Sequence, residues 1–166
     1  MIRKATATDS TSIANIYNHY IADTVITFEE SEISLDDMGE RIEKISQLGL
    51  PWLVAEDKGD VIGYAYASPW KERSAYRFSV EVTVYLARHL TTKGWGTKLY
   101  ESLFHELEKL PVHSAIAGIT LPNVASVALH EKFGMEKVAH FQEVGYKFEQ
   151  WLDVGYWQVQ LHEPTT

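Results

Sequence analysis

The sequence contains no cysteine among its 166 residues, which excludes disulfides, thiolate metal sites and cysteine nucleophiles. Basic residues are also few, with 15 Lys and Arg against 23 Asp and Glu and a formal net charge of −8. A surface of this sign disfavours nucleic acid and anionic membranes as partners, because both are negatively charged. No apolar run reaches the roughly 18–20 residues of a membrane span, and no secretory segment follows Met1. We therefore expect a cytoplasmic protein that binds neither nucleic acid nor membrane.

The length is that of one domain, and no linker, low-complexity stretch or repeat interrupts it. We predict a single domain over residues 1–166. The seven histidines are dispersed without the spacing of zinc ligands, so no metal site is expected.

Hydrophobic periodicity predicts four helices and six or seven strands. The helices are predicted to begin at Thr8 or Asp9, at Ser34, near Gly96 and at Pro122–Asn123. Predicted strands are Trp52–Glu56, Val61–Ser68, Phe78–Leu86, Ala115–Leu121, Glu136–Val144 and Lys147–Gln160, with a four-residue turn at Asp57–Asp60 and an extended segment at Val25–Phe28. The order β-α-α-β-β-β-α-β-α-β-β predicts an α+β fold. Its sheet should be mixed and mostly antiparallel, with parallel pairing confined to the βαβ crossover.

The strand Phe78–Leu86 alternates most clearly, with Glu81 and Tyr85 on its polar face. Two glycines, Gly94 and Gly96, then precede a helix, as in loops that present backbone N–H groups to phosphate. The stretch from Val82 to Tyr100 contains no acidic residue but has three basic ones. An ordinary strand-to-helix turn with solvated charges explains the same pattern. Walker A and dinucleotide fingerprints do not fit, because Leu99 stands where the latter needs a third glycine.

A second segment, Asn123–Gly134, follows the next strand. Asn123 is a preferred helix N-cap and Gly134 an ordinary helix stop, while a lone helical histidine such as His130 is usually a satisfied structural residue. Glu81 likewise has a plain interpretation, as a solvent-facing strand carboxylate.

Together, Thr91–Gly96 and Asn123–Met135 resemble two motifs of the GNAT superfamily of acyl-CoA-dependent N-acetyltransferases, Arg/Gln-x-x-Gly-x-Gly/Ala and Asn-x-x-Ala-x-x-Leu-Tyr-x-x-x-Gly-Phe. Within it, the sequence resembles the phosphinothricin N-acetyltransferase family and is similar to methionine sulfone and sulfoximine acetyltransferases. The stretches that carry this narrower resemblance span nearly the whole chain: Tyr17–Tyr20, Pro51–Glu56, Pro69–Tyr76, Glu81–Tyr85, Leu129–Glu131 and Val154–Gln158. Two positions depart from the superfamily motifs. Thr91 replaces Arg or Gln, and His130 stands where many members have a Tyr general acid, although the phosphinothricin branch has His there.

The resemblance implies a GNAT-like fold and direct acetyl transfer from acetyl-CoA to an amine. It assigns Glu81 as general base and His130 as its partner in proton movement, with the acid or auxiliary-base role of His130 left open. The residues implied in cofactor binding are Val84, Tyr85 and Leu86 for the pantetheine and thioester, Thr92, Lys93, Gly94, Trp95, Gly96 and Thr97 for the pyrophosphate, and Asn123 further along.

For the acceptor, cations and aromatic residues precede Glu81 in the sequence and suit a small anionic amino acid, although a plain surface loop has the same composition. The candidate substrate-binding residues are Phe28, Trp70, Lys71, Arg73, Tyr76 and Tyr85. The family resemblance also implies a homodimer, for which the aromatic residues Trp151, Tyr156 and Trp157 are either interface or core. Alternatives are a protein or polyamine N-acetyltransferase, an acyl-CoA-binding regulatory module without turnover, and a plain structural domain.

Overall fold

The computed structural model of the protein describes residues 1–90 and 94–161. Within this range the elements follow the predicted order, and the α+β prediction is confirmed. The strands are β1 (Ile2–Lys4), β2 (Trp52–Asp57), β3 (Asp60–Pro69), β4 (Ser79–Leu86), β5 (Ser114–Leu121), β6 (Glu136–Lys147) and β7 (Gln150–Gln160). The α-helices are α1 (Ser10–Asp23), α2 (Leu35–Gln47), α3 (Trp95–Glu108) and α4 (Val124–Lys132).

All seven strands form one sheet in the order β1-β2-β3-β4-β5-β7-β6. Every pair is antiparallel except β4 and β5, which the α3 crossover joins in parallel, as predicted. The parallel register is short and runs only from Ser79↔Ser114 to Glu81↔Ile116. Beyond it, β4 stays paired with β3 as far as Leu86, and β5 stays paired with β7 as far as Leu121. The two central strands therefore separate after Glu81 and leave a gap in the middle of the sheet.

Helices cover both faces of the sheet. The apolar stripe of α3 packs on one face against the inward residues of β4, Val80 and Val82. On the other face α1 and α2 pack on β2 and β3, and Tyr85 contacts this second core. Because successive strand residues point to opposite faces, Glu81 lies on the same side as Tyr85. The predicted cap of α2 is confirmed, since the Ser34 hydroxyl accepts a hydrogen bond from the Asp37 N–H.

Two turns between paired strands differ from the prediction, one in its length and one in its position. The β2–β3 turn has two residues rather than four, with Lys58 and Gly59 both at positive φ, as twisted two-residue hairpins require. The predicted break between β6 and β7 at 145–146 is also wrong. Gly145 lies inside β6 opposite Leu152, and the turn is at Phe148–Glu149, which adopt positive φ although neither is Gly or Asn.

The extended segment predicted at Val25–Phe28 is wrong, since residues 25–27 bend and no strand forms there. At the aromatic-rich end of the chain, Trp157 is 3% exposed and belongs to the core, whereas Trp151 is 64% exposed. Among the described residues, no helix is long and apolar enough to cross a membrane.

Candidate active site

A pocket opens where β4 and β5 separate, and both predicted catalytic residues line it. β4 contributes Glu81 and Tyr85, and α4 contributes His130. The remaining wall comes from α3, from β5 and β7, and from the segment between α1 and α2. These lining residues include Tyr100, Gly118, Thr120, Asn123, Ser126, Tyr156 and the stretch Ile26, Thr27 and Phe28.

Glu81 is half-buried in this pocket and is not the solvent-facing carboxylate of the plain interpretation. Burial raises the pKa of Glu81, and the nearby Lys71 ammonium partly opposes this effect. A carboxylate with a raised pKa is a stronger proton acceptor when ionised. The environment of Glu81 therefore suits a general base.

The His130 ring is 5% exposed, and both its nitrogens have partners. Nδ1 lies 2.7 Å from the Ser126 carbonyl oxygen, which can only accept, so Nδ1 carries the proton. Nε2 lies 2.8 Å from the Tyr100 hydroxyl. Burial lowers the pKa of His130, although the bond to Ser126 partly opposes this. The ring is therefore neutral near pH 7, and Nε2 accepts a hydrogen bond from Tyr100.

Sequence reasoning missed Tyr100. It is fully buried on α3 among the leucines of the helix stripe, and it also lines the pocket beside Glu81 and His130. Burial raises the pKa of Tyr100, so its hydroxyl stays protonated. Its partner is thirty residues away on another helix, and no local pattern in the sequence signals such a contact.

A groove adjoins the pocket and brings together most of the predicted cofactor residues. It is lined by Val84, Tyr85 and Leu86 of β4, by Gly94, Gly96 and Thr97, and by Asn123. Trp95 is not among its lining residues, and Lys98 lies 4.6 Å over the Trp95 ring. Thr91, Thr92 and Lys93 lie outside the described residues, so their predicted roles stay predictions.

The first turns of two helices open into this groove. Gly94 precedes α3 in a left-handed conformation with φ of 75°, and the Asn123 side chain caps α4 by accepting from the Ser126 N–H across 3.1 Å. Gly96 lets the two helices approach, because a Cβ there would lie 3.3 Å from Cδ2 of Leu129. Helix N-termini attract anions through free N–H groups and the helix dipole. The groove therefore suits a phosphate-bearing ligand.

The predicted acceptor residues fall into three places. Phe28 and Tyr85 line the pocket with Glu81. Trp70, Lys71 and Arg73 line a neighbouring cationic cleft that also contains Arg41, Lys44 and Arg77. The Trp70 ring meets the pocket residue Tyr156 edge-on, with 5.5 Å between centroids. Tyr76 is exposed and lines neither the pocket nor the cleft, so the structure does not place it with the other candidates.

In residues 1–90 and 94–161, no group of three or more His, Asp or Glu side chains is arranged so that it could hold a metal ion.

Comparison with known proteins also indicates an acetyltransferase that uses acetyl-CoA. Residues 2–155 match the acetyltransferase (GNAT) domain. The chain is 40% identical to the phosphinothricin N-acetyltransferase of Streptomyces viridochromogenes, over 98% of this chain and 88% of that one. It is 36% identical to the L-methionine sulfoximine/L-methionine sulfone acetyltransferase of Salmonella typhimurium, over 98% of this chain and 95% of that one. A solved phosphinothricin acetyltransferase of Sinorhizobium meliloti in complex with AcCoA superposes with a TM-score of 0.96 at 37% identity, over 99% of this chain and 92% of that one.

Proposed function

We propose, because the chain belongs to the GNAT acetyltransferase family, that it acetylates the amino group of a small amino-acid analogue with acetyl-CoA. Phosphinothricin and methionine sulfone or sulfoximine are the acceptor type, as the names of its relatives suggest. The observation that carries the proposal is the meeting of the groove and the Glu81 pocket. The residues that line both are Ile26, Val84, Tyr85, Asn123 and Ser126.

The groove fits acetyl-CoA by its chemistry. The α3 and α4 N-termini suit its diphosphate. Val84 lies beyond the last β4–β5 pair, so its backbone on that side can bind an amide-bearing arm. The Leu86 carbonyl oxygen further along already accepts a hydrogen bond from the Tyr20 hydroxyl across 2.6 Å. When bound, the cofactor would supply the acetyl group as a thioester, and the wall that the groove shares with the pocket supports a position of that end beside Glu81.

Glu81 removes a proton from the acceptor amine. The α-amine of a free amino acid is almost entirely protonated at pH 7, and only the neutral amine has the lone pair that attacks a carbonyl. Direct transfer needs no enzyme nucleophile, in agreement with the absence of cysteine.

His130 acts as the auxiliary base rather than as an acid. Its Nε2 carries a lone pair that faces the Tyr100 hydroxyl. When a proton from the amine side reaches the Tyr100 oxygen, the Tyr100 proton can pass to Nε2. The resulting imidazolium keeps its Nδ1–H bond to the Ser126 carbonyl.

The cationic cleft next to the pocket recognises the acceptor through charge. Lys44, Lys71, Arg73 and Arg77 line it together with the single carboxylate of Glu72, whereas Arg41 in the same wall is already paired with Glu29. Guanidinium groups bind carboxylate or phosphinate oxygens with two parallel hydrogen bonds. A polyamine would meet like charge there. The cleft therefore favours anionic amino acids over the polyamine alternative.

A screen with acetyl-CoA and a thiol-release readout tests this function. We expect turnover with phosphinothricin or a methionine sulfone or sulfoximine, and none with spermidine. Absence of thiol release with every amine, together with calorimetric binding of CoA, would instead identify a regulatory binding module. Absence of CoA binding would reject both.

A further inference from the structure

The segment between α1 and α2 forms part of the pocket wall without belonging to any helix or strand. Ile26, Thr27 and Phe28 face Glu81 and Tyr85 across the pocket. Thr27 is buried, and its hydroxyl lies 2.8 Å from the Tyr17 hydroxyl. Phe28 is partly exposed at the pocket edge. A wall of irregular chain needs contacts from elsewhere to fix its position.

Lys147 supplies one such contact from the far end of the chain. Its ammonium donates to the Thr27 carbonyl oxygen across 2.8 Å, over a sequence separation of 120 residues. The Lys147 side chain is 2% exposed, and a buried ammonium carries a large desolvation penalty. Glu29 and Glu30, in the same segment, are close enough to attract it. The cation therefore ties this segment to the β6–β7 hairpin.

Gly145, two residues earlier on β6, supplies the other contact. A Cβ at this position would overlap the Cζ and Cε2 atoms of the Phe28 ring. The backbone of Gly145 is not in the left-handed region, and Gly145 pairs with Leu152 directly after the irregular stretch of β6 that follows Phe141. Gly145 therefore needs no positive φ, and the space that its missing Cβ leaves is occupied by the Phe28 ring.

We propose that Gly145 and Lys147 are positioning residues that hold Phe28 at the pocket edge and thereby set which acceptors the pocket admits. This inference rests on the proposed acetyltransferase function. Lys147 fixes the backbone next to Phe28, and Gly145 provides the surface on which the Phe28 ring lies. Neither residue lines the pocket, so both act through Phe28.

The first test is a double-mutant cycle on acceptor kinetics. Gly145→Ala must displace the ring, and we expect the acceptor KM to rise about 10-fold or more while the acetyl-CoA KM stays within about twofold. Phe28→Ala alone should raise the acceptor KM similarly. Adding Gly145→Ala to Phe28→Ala should then change nothing, because the colliding ring is gone.

Gly39→Ala is the matched control, since a Cβ there meets only Ser10 at an ordinary 3.7 Å. Its kinetics should equal those of the wild type. The proposal is overturned if Gly145→Ala raises the acceptor KM by its full factor in the Phe28→Ala background, where no ring remains to move.

The second test does not depend on catalysis. In Lys147→Met, amide hydrogen exchange of residues 25–30 should accelerate, whereas Lys137→Met, an exposed lysine on the same strand, should leave it unchanged. A crystal structure of Gly145→Ala should show the Phe28 ring displaced. An unmoved ring or unchanged exchange would refute the positioning role even in an active enzyme. Conversely, absence of turnover in the wild type would reject the proposed function while these two measurements still decide the contact.

Discussion

The Tyr100 hydroxyl donates to Nε2 of His130 across 2.8 Å, at the junction of α3 and α4. The two rings also meet edge-on, with centroids 5.1 Å apart. Since Nδ1 donates to the Ser126 carbonyl, Nε2 holds the lone pair that accepts from Tyr100. This hydrogen bond adds to the effect of burial, which lowers the pKa of His130 and favours the neutral ring.

Tyr100→Phe should therefore change the titration of His130. The ring and its packing on Phe104 and Phe133 are retained, but Nε2 loses a bond that favours the neutral form, so the pKa of His130 should rise. A buried acceptor without a partner costs about 1–3 kcal/mol, measurable by urea unfolding. NMR titration reports the pKa. Tyr146→Phe, at an exposed tyrosine, should change neither quantity. An unaltered His130 titration would contradict the hydrogen bond from the Tyr100 hydroxyl to Nε2 of His130.

Glu81→Gln should lower kcat by about 10²–10⁴, the usual range for loss of a general base, with acetyl-CoA affinity retained. In the wild type the acidic limb of the kcat/KM profile should lie above the ordinary carboxyl pKa of 4.5, because burial raises the pKa of Glu81. This limb should vanish in the variant. Glu136→Gln, at an exposed carboxylate at the start of β6 that lines neither the pocket nor the cleft, serves as control. A pH–rate profile that is the same in Glu81→Gln and wild type excludes Glu81 as the base.

The same substitution should stabilise the protein at neutral pH. A carboxyl whose pKa is raised by folding contributes stability below its unfolded pKa and loses that contribution as pH rises through the folded value. The ionised Glu81 is therefore a cost at pH 7, which Gln removes. Unfolding free energies of both proteins, compared at about pH 4 and pH 8, should differ more at the higher pH. An equal difference at both would show that Glu81 is not desolvated.

Gly94→Ala should weaken acetyl-CoA binding. Gly94 has a φ of 75°, where a Cβ costs about 1–2 kcal/mol, so the start of α3 must shift. We expect a several-fold rise in the acetyl-CoA KM with a smaller effect on the acceptor KM. Gly49 is the matched control, with a φ of 74° and, like Gly94, nothing within 4 Å of an added Cβ. If Gly49→Ala had the same effect on KM, the change would reflect general strain instead.

Glu149→Gly should stabilise the β6–β7 hairpin. Glu149 adopts a φ of 59°, which glycine tolerates without the penalty of about 1 kcal/mol that other residues have there. The melting temperature should rise accordingly. Glu136→Gly, at the start of β6, should instead lower the melting temperature by the ordinary entropic cost of glycine. A lower melting temperature for Glu149→Gly would show that its side chain contributes contacts that outweigh the strain.

Local patterns predicted the part of the site that depends on local structure. Strand alternation placed Glu81 and Tyr85 on one face, and the glycines before α3 indicated a helix start open to a ligand. Contacts over long separations left no such signal, as with Tyr100 and His130 or Lys147 and Thr27. The β6–β7 turn was misplaced because Phe148 and Glu149 lack the usual turn chemistry, whereas Gly145 has it and lies in a strand.

The short β4–β5 register has a mechanical consequence. Three residue pairs join β4 to β5, together with hydrogen bonds from the His113 and Ser114 N–H groups to the Phe78 carbonyl oxygen, and the two strands do not pair beyond Glu81. A ligand with amides along its length can form further hydrogen bonds to β4 while its far end contacts the start of α4. Occupancy and rigidity are then thermodynamically linked, and saturation with acetyl-CoA would brace one half of the molecule against the other.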